Sequence, residues 1–127
     1  MSGADIKEWI RLATHDIETA DVLIKEKGHA DIIIYHIHQA VEKLLKAIII
    51  KSEKEVEKIH YLDRLLADLI NDYPVLEKIK TDILEINLYL PKLRYPSGDS
   101  LRFEEAELIY KKFNNIKNVL LPLLNIK

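Results

Sequence analysis

The polar residues of this chain that could do chemistry fall in three places. On one predicted helix, His36, Gln39, Lys43 and Lys46 follow one another at spacings of three and four and so share a face. Glu42 stands on the adjoining edge, four residues before Lys46. Such a face is either a solvated surface carrying a Glu–Lys pair or a polar ledge that meets an anion or a partner. The second place is His60, just ahead of a short helix, where a histidine serves as a cap or as a satisfied interface residue. The third is Arg94-Tyr95-Pro96, at the entry to the most loop-like stretch of the chain. There Arg94 either closes terminal helix carbonyls or a carboxylate, or offers phosphate a guanidinium on a stiffened loop.

Several familiar sites are absent. A carboxylate-bridged di-metal bundle needs two Glu-x-x-His motifs, and only Glu57-Lys58-Ile59-His60 can be written. His36 and His38 are alternate residues, about 200° apart around a regular helix, so they do not chelate one metal. Glycine occurs only at positions 3, 28 and 98, which rules out a phosphate-cradling Walker or Rossmann loop. No nucleophile-elbow motif supports a Ser-His-Asp triad. Without cysteine there is no disulfide framework, thiol nucleophile or Cys-based zinc site. No metal and no cofactor are expected.

Helices must position these groups, and helical periodicity runs along nearly the whole chain. From about Ala4 to Lys27, Ile6, Trp9, Ile10, Ala13, Ile17, Ala20 and Ile24 are three and four apart. Ser2-x-x-Asp5 can cap the start, and Gly28 is the natural left-handed residue past the end. A second helix, about Ala30 to Lys51, carries Ile33, Ile37, Ala40, Val41, Leu44, Leu45 and Ile48 on one stripe. Its opening Ile32-Ile33-Ile34 is apolar on more than one face, as in a central helix or one that also contributes to a dimer seam. Residues 52–58 read as a solvated connection, and a short helix follows from about Tyr61 to Asn71 with Leu62, Leu65, Leu66 and Leu69 inward. Pro74 opens the next helix, about Val75 to Leu90, which Pro91 ends. Lys92 to Ser100 reads as loop, and a last helix from about Phe103 to Leu121 turns Phe103, Ala106, Ile109, Tyr110, Phe113, Ile116 and Leu120 inward. The expected fold is all-α, an up-and-down bundle of four to five helices in one domain over residues 1–127.

Composition narrows the setting. A net charge of −2 and a pI near 6.2 do not suit a protein that coats duplex nucleic acid, although the 19 Lys and Arg leave room for a local basic patch. The longest purely apolar run, Ala47 to Ile50, is far short of the roughly 20 residues that span a bilayer, and the N-terminus has no signal-peptide pattern. A cytoplasmic protein with no membrane association is expected. Abundant Ile, Lys and Glu with a single Gln match a thermophile's usage.

Taken together, Gln39 to Ala47, then His60-Tyr61-Leu62 with Leu65-Leu66, then Arg94-Tyr95-Pro96 resemble the signature series of the HEPN (higher eukaryotes and prokaryotes nucleotide-binding) domain family. Trp9, Ala13, Asp16 and Ala20 also match the way such domains begin, so the resemblance spans nearly the whole chain in order. It implies a homodimer and one of two settings. Small stand-alone prokaryotic members pair with a minimal nucleotidyltransferase in a toxin–antitoxin-like system. Other members are metal-independent ribonucleases that use an Arg-x4-6-His motif across a dimer. The resemblance would make Arg94 the catalytic arginine, but Asp99, Ser100 and Leu101 stand where the histidine should fall. Arg11 and His15 are one residue too close, and Arg64 and Arg102 have no histidine downstream in range. The leading expectation is therefore a binding and regulatory dimer that holds a nucleotide or RNA phosphate at His36, Gln39, Lys43, Lys46, His60, Arg94 and Tyr95. The alternative is a divergent ribonuclease using Arg94, with a histidine such as His60 or His36 supplied from elsewhere.

Overall fold

The computed structural model describes residues 3–56, 58–96 and 100–126. Ser2 of the expected cap, Glu57 of the Glu-x-x-His and residues 97–99 of the expected loop lie outside the described residues. Six α-helices run through the described chain: α1 Gly3–Lys25, α2 Ala30–Lys51, α3 Leu62–Ala67, α4 Lys80–Asn87, α5 Leu90–Arg94 and α6 Phe103–Leu123, with a 3-10 helix at Pro74–Ile79 between α3 and α4. The fold is the expected all-α bundle.

Helix α2 is its axis. Ile33, Ile34, Ile37, Ala40, Val41, Leu45, Ala47 and Ile48 have no solvent exposure, because α1, α3, α4, α5 and α6 all pack against this one helix. The apolar opening is covered inside the protomer at Ile33 and Ile34, while Ile32 stays 42% exposed. Ala13 and Ala20, both fully buried, put small side chains on the face of α1 that lies along α2. Of the predicted inner stripe of α6, Ala106, Ile109, Phe113, Ile116 and Leu120 are buried, and Phe103 and Tyr110 pack partly buried against them.

Two local expectations need correction. The predicted helix over 75–90 is three pieces rather than one. Pro74 opens a 3-10 turn, Ile79 leaves helical geometry (φ −118°, ψ 6°), and α4 stops at Asn87. Pro91 has no N–H to continue α4, so it sits in the first turn of α5, where no intrahelical donor is required. Pro91 thus begins a helix instead of ending one, and Arg94 is the last residue of α5 rather than part of a loop beginning at Lys92.

The second correction concerns Gly28. The left-handed residue after α1 is Lys27, at φ 54°, not the glycine. Gly28 N–H donates to Leu23 O at 2.7 Å and Lys27 N–H to Ile24 O at 3.4 Å, the paired bonds of a Schellman ending. A Cβ on Gly28 would lie 2.9 Å from Leu23 Cδ2, so what the glycine supplies is close approach. The same ending recurs after α2, with Glu53 at φ 61°, and after α6, with Asn125 at φ 61°.

Lysine and glutamate carry a Cβ into a conformation that costs L-residues roughly 1–2 kcal/mol, part of which glycine returns through its freer unfolded chain. Lys27→Gly and Glu53→Gly are each expected to stabilise the fold by about 0.5–1 kcal/mol, seen as a Tm rise of a few degrees.

Candidate functional site

The functional face is organised by two acids that helix packing removes from water. Asp16 is 7% exposed, the one carboxylate in the inward stripe of α1 between Ala13 and Ala20. It accepts from His36 Nδ1 at 2.8 Å and from Lys43 Nζ at 2.5 Å. His36 and Lys43 are two helical turns apart on α2, so one carboxylate of α1 clamps both. Both contacts are part-buried, and through these two charge-assisted hydrogen bonds Asp16 ties α1 to α2.

Glu42 is the second acid, 4% exposed on α2. Lys46 Nζ donates to its Oε2 at 3.2 Å, as the four-residue spacing suggests, and Lys46 is itself 4% exposed. The Lys46 ammonium also lies 5.3 Å from the centroid of the Trp9 ring, a cation–π contact out of water. From the other side His60 Nδ1 lies 3.3 Å from both Glu42 oxygens, a loose bifurcated contact that leaves Nε2 for another partner. His60 is not a helix cap, since α3 begins at Leu62 behind Tyr61. Its segment is fixed by Asn87, whose Oδ1 accepts from Leu62 N–H at 2.9 Å and whose amide reaches Asp63 at 3.3 Å.

Behind these groups lies His38, which has no solvent exposure and no hydrogen-bond partner on either ring nitrogen. Burial is the main reason its pKa is pushed down to about 4. The Glu42 charge opposes that shift, whereas His60 and Arg94 add to it; the Asn87 amide nearby favours the protonated ring without reaching hydrogen-bond geometry. Glu42, His60 and Arg94 thus all act electrostatically on this one buried ring.

Arg94 itself is exposed and makes no hydrogen bond or ion pair among the described residues. It neither closes helix carbonyls nor meets a carboxylate, so the structural roles open to it in the sequence are not filled. Tyr95, 67% exposed, follows it, and Tyr61, 55% exposed, follows His60. Gln39 is half-buried and unbonded among the described residues. Thus Lys46 and His60 share Glu42, His36 and Lys43 share Asp16, and Arg94 is related to the first group only through its charge acting on His38. Sequence reasoning passed over Asp16, His38 and Asn87 as functional residues. Asp16 and His38 had a signal: Leu12, Ala13 and Ala20 flank Asp16 at helical spacing, and Ile34 and Val41 flank His38, so each falls on an apolar stripe. Asn87 had none.

A histidine whose pKa is lowered on folding stabilises the protein above its unfolded value near 6.5, and the contribution is lost as pH falls through the folded value. Between pH 7.5 and 5 the native state is expected to lose about 2 kcal/mol from His38 alone. In urea denaturation at the two pH values, His38→Leu should show a smaller acid loss than wild type; an identical loss would show that the ring is not held neutral.

The HEPN domain model matches residues 6–123. No curated protein and no solved structure matches the chain. No helix of the described residues is long and apolar enough to cross a membrane. With the family model covering nearly all of the helices that build this face, the chain belongs to the HEPN domain family.

Proposed function

We propose that this chain is a binding and regulatory HEPN protein that takes a nucleotide or RNA phosphate at Arg94 and His60, acts as a homodimer, and partners a minimal nucleotidyltransferase in a toxin–antitoxin-like pair. The observation that carries the phosphate reading is the exposed Arg94 guanidinium, uncommitted among the described residues, whose charge acts on the same buried His38 ring as that of the half-exposed His60. Lys43 and Lys46, by contrast, are already engaged by Asp16 and Glu42. A planar, permanently charged fork with no internal carboxylate is the donor best matched to phosphate. His60 and Arg94 are each followed by an exposed tyrosine, Tyr61 or Tyr95, on which an unpaired base can stack. The nucleotidyltransferase partner rests on the likeness to small stand-alone family members. The dimer is supported by the exposed apolar surface of Ile32 and Tyr35 on the same helix as the ledge.

A second reading, a divergent metal-independent ribonuclease, is favoured by one arrangement. Glu42 holds His60 through Nδ1, so Nε2 is left to accept a proton, which would supply the histidine missing downstream of Arg94. In that reading Arg94 stabilises charge on the phosphorane.

Binding of a short single-stranded RNA, followed by fluorescence anisotropy at low salt, is expected to weaken about ten-fold in Arg94→Ala, the loss of one charge-assisted contact. Unchanged affinity in both Arg94→Ala and His60→Ala would sink the phosphate reading. Cleavage in EDTA that needs both residues would select the ribonuclease. Failure to co-purify with a minimal nucleotidyltransferase at micromolar concentration would remove the partner.

A further inference from the structure

A cleft of about 460 Å³ opens between the first half of α1, the end of α2 and the connection that follows it. Trp9, Leu12, Ile50 and Val56 form its apolar wall. Lys46 lines it from below and Lys58 from the rim. Neither His60, Arg94 nor Tyr95 lines it, so it is a site separate from the Arg94 face.

The charges of this cleft have a direction. The Lys46 side chain is only 5% exposed, and its ammonium has three N–H donors. One is bonded to Glu42 at 3.2 Å and the Trp9 ring covers part of the rest, so a buried cation at the cleft wall retains donor capacity. Lys58 is exposed and has no ion pair among the described residues. Asp5 and Glu8 are the acids of the rim. Glu8 is engaged through both oxygens by Arg11, which holds its carboxyl below the usual range. Asp5, at the start of α1, is the other acid of the lining. A ligand entering here meets hydrocarbon along one wall and ammonium groups at Lys46 and Lys58.

We propose that this cleft binds a small amphipathic carboxylate, its alkyl or aryl chain against Trp9, Leu12, Ile50 and Val56 and its head group on Lys46 and Lys58. An apolar wall with a few placed charges is the usual make-up of a small-molecule site, the wall supplying affinity and the charges the orientation. The Lys46 contact also gives the site an output. A carboxylate that takes Lys46 competes with Glu42 for the same ammonium, and His60 is the other partner of Glu42. Occupancy of the cleft is therefore felt at the histidine of the phosphate face.

Trp9 is the chain's single tryptophan, so its emission reports on this cleft alone. The probes are octanoate, octylamine and octanol, which share a chain and differ in head group. Octanoate is expected to change Trp9 emission saturably, octanol to bind about ten-fold more weakly, and octylamine to give no saturable change. Lys58→Glu, a change at an exposed side chain, should weaken octanoate several-fold, and Lys46→Met should abolish its effect. Should Lys46→Met fail to fold, the three head groups and Lys58→Glu still decide. In the His60 ring NMR signals, octanoate should produce a shift that octanol at the same concentration does not. Equal response to all three probes, or none, overturns the proposal. So does an emission that changes on dilution of the protein alone, because a second copy would then fill the cleft.

Discussion

Every other element of this protein leans on α2, and that demand shapes its chemistry. A helix surrounded by α1, α3, α4, α5 and α6 is apolar over most of its circumference, and polar side chains that remain on it must find partners inside. Glu42, Lys46 and His38 are all at least 96% buried there, where an unpaired charge would cost several kcal/mol. Glu42 and Lys46 satisfy one another. His38 meets the demand differently: with no partner in reach it stays neutral, its pKa held near 4 by burial.

The two acids then divide the cations of the face. Asp16 draws His36 and Lys43 towards α1, and Glu42 draws Lys46 and His60 towards the start of α3. Arg94, carried at the end of α5, meets no carboxylate among the described residues. That helix packs on α2, and polar ties to α6 hold the segments before it. Tyr89 O–H donates to Glu105 of α6 at 3.1 Å, and Lys112 of α6 pairs with Glu85 of α4 at 2.7 Å. Tyr110 O–H, donating to Asp21 at 2.6 Å, ties α6 to α1 in the same way. Desolvation and the Asp21 acceptor push that phenol up to about 12, so the hydroxyl stays a donor across the working pH range.

Glu42 also connects two regions that look unrelated along the chain. Its carboxylate is shared between Lys46, which lines the Trp9 cleft, and His60, which stands beside the Arg94 face. A carboxylate so buried has little water to compensate a lost partner, so a change at one neighbour is felt by the other. Neither region is built by a single motif. Both depend on the N-terminal helix or the α2–α3 connection coming back onto α2.

By itself the sequence determined what depends on neighbours within a turn or two. The 3.6-residue stripes define α1, α2 and α6 and their inner faces, and the four-residue spacing of Glu42 and Lys46 foretells their ion pair. The ordered series from Gln39 to Pro96 carries the family likeness. Tertiary structure decided everything that joins distant residues. Asp16 meets His36 and Lys43 across 20 and 27 residues, and Glu42 meets His60 across 18, through the angle at which helices pack. The same packing chose Lys27 over Gly28 for the left-handed position and let α5 form beyond α4, because chain reversals are set by where the next element must dock. Local preference names the helices; only their packing decides which cations of the face meet a buried acid.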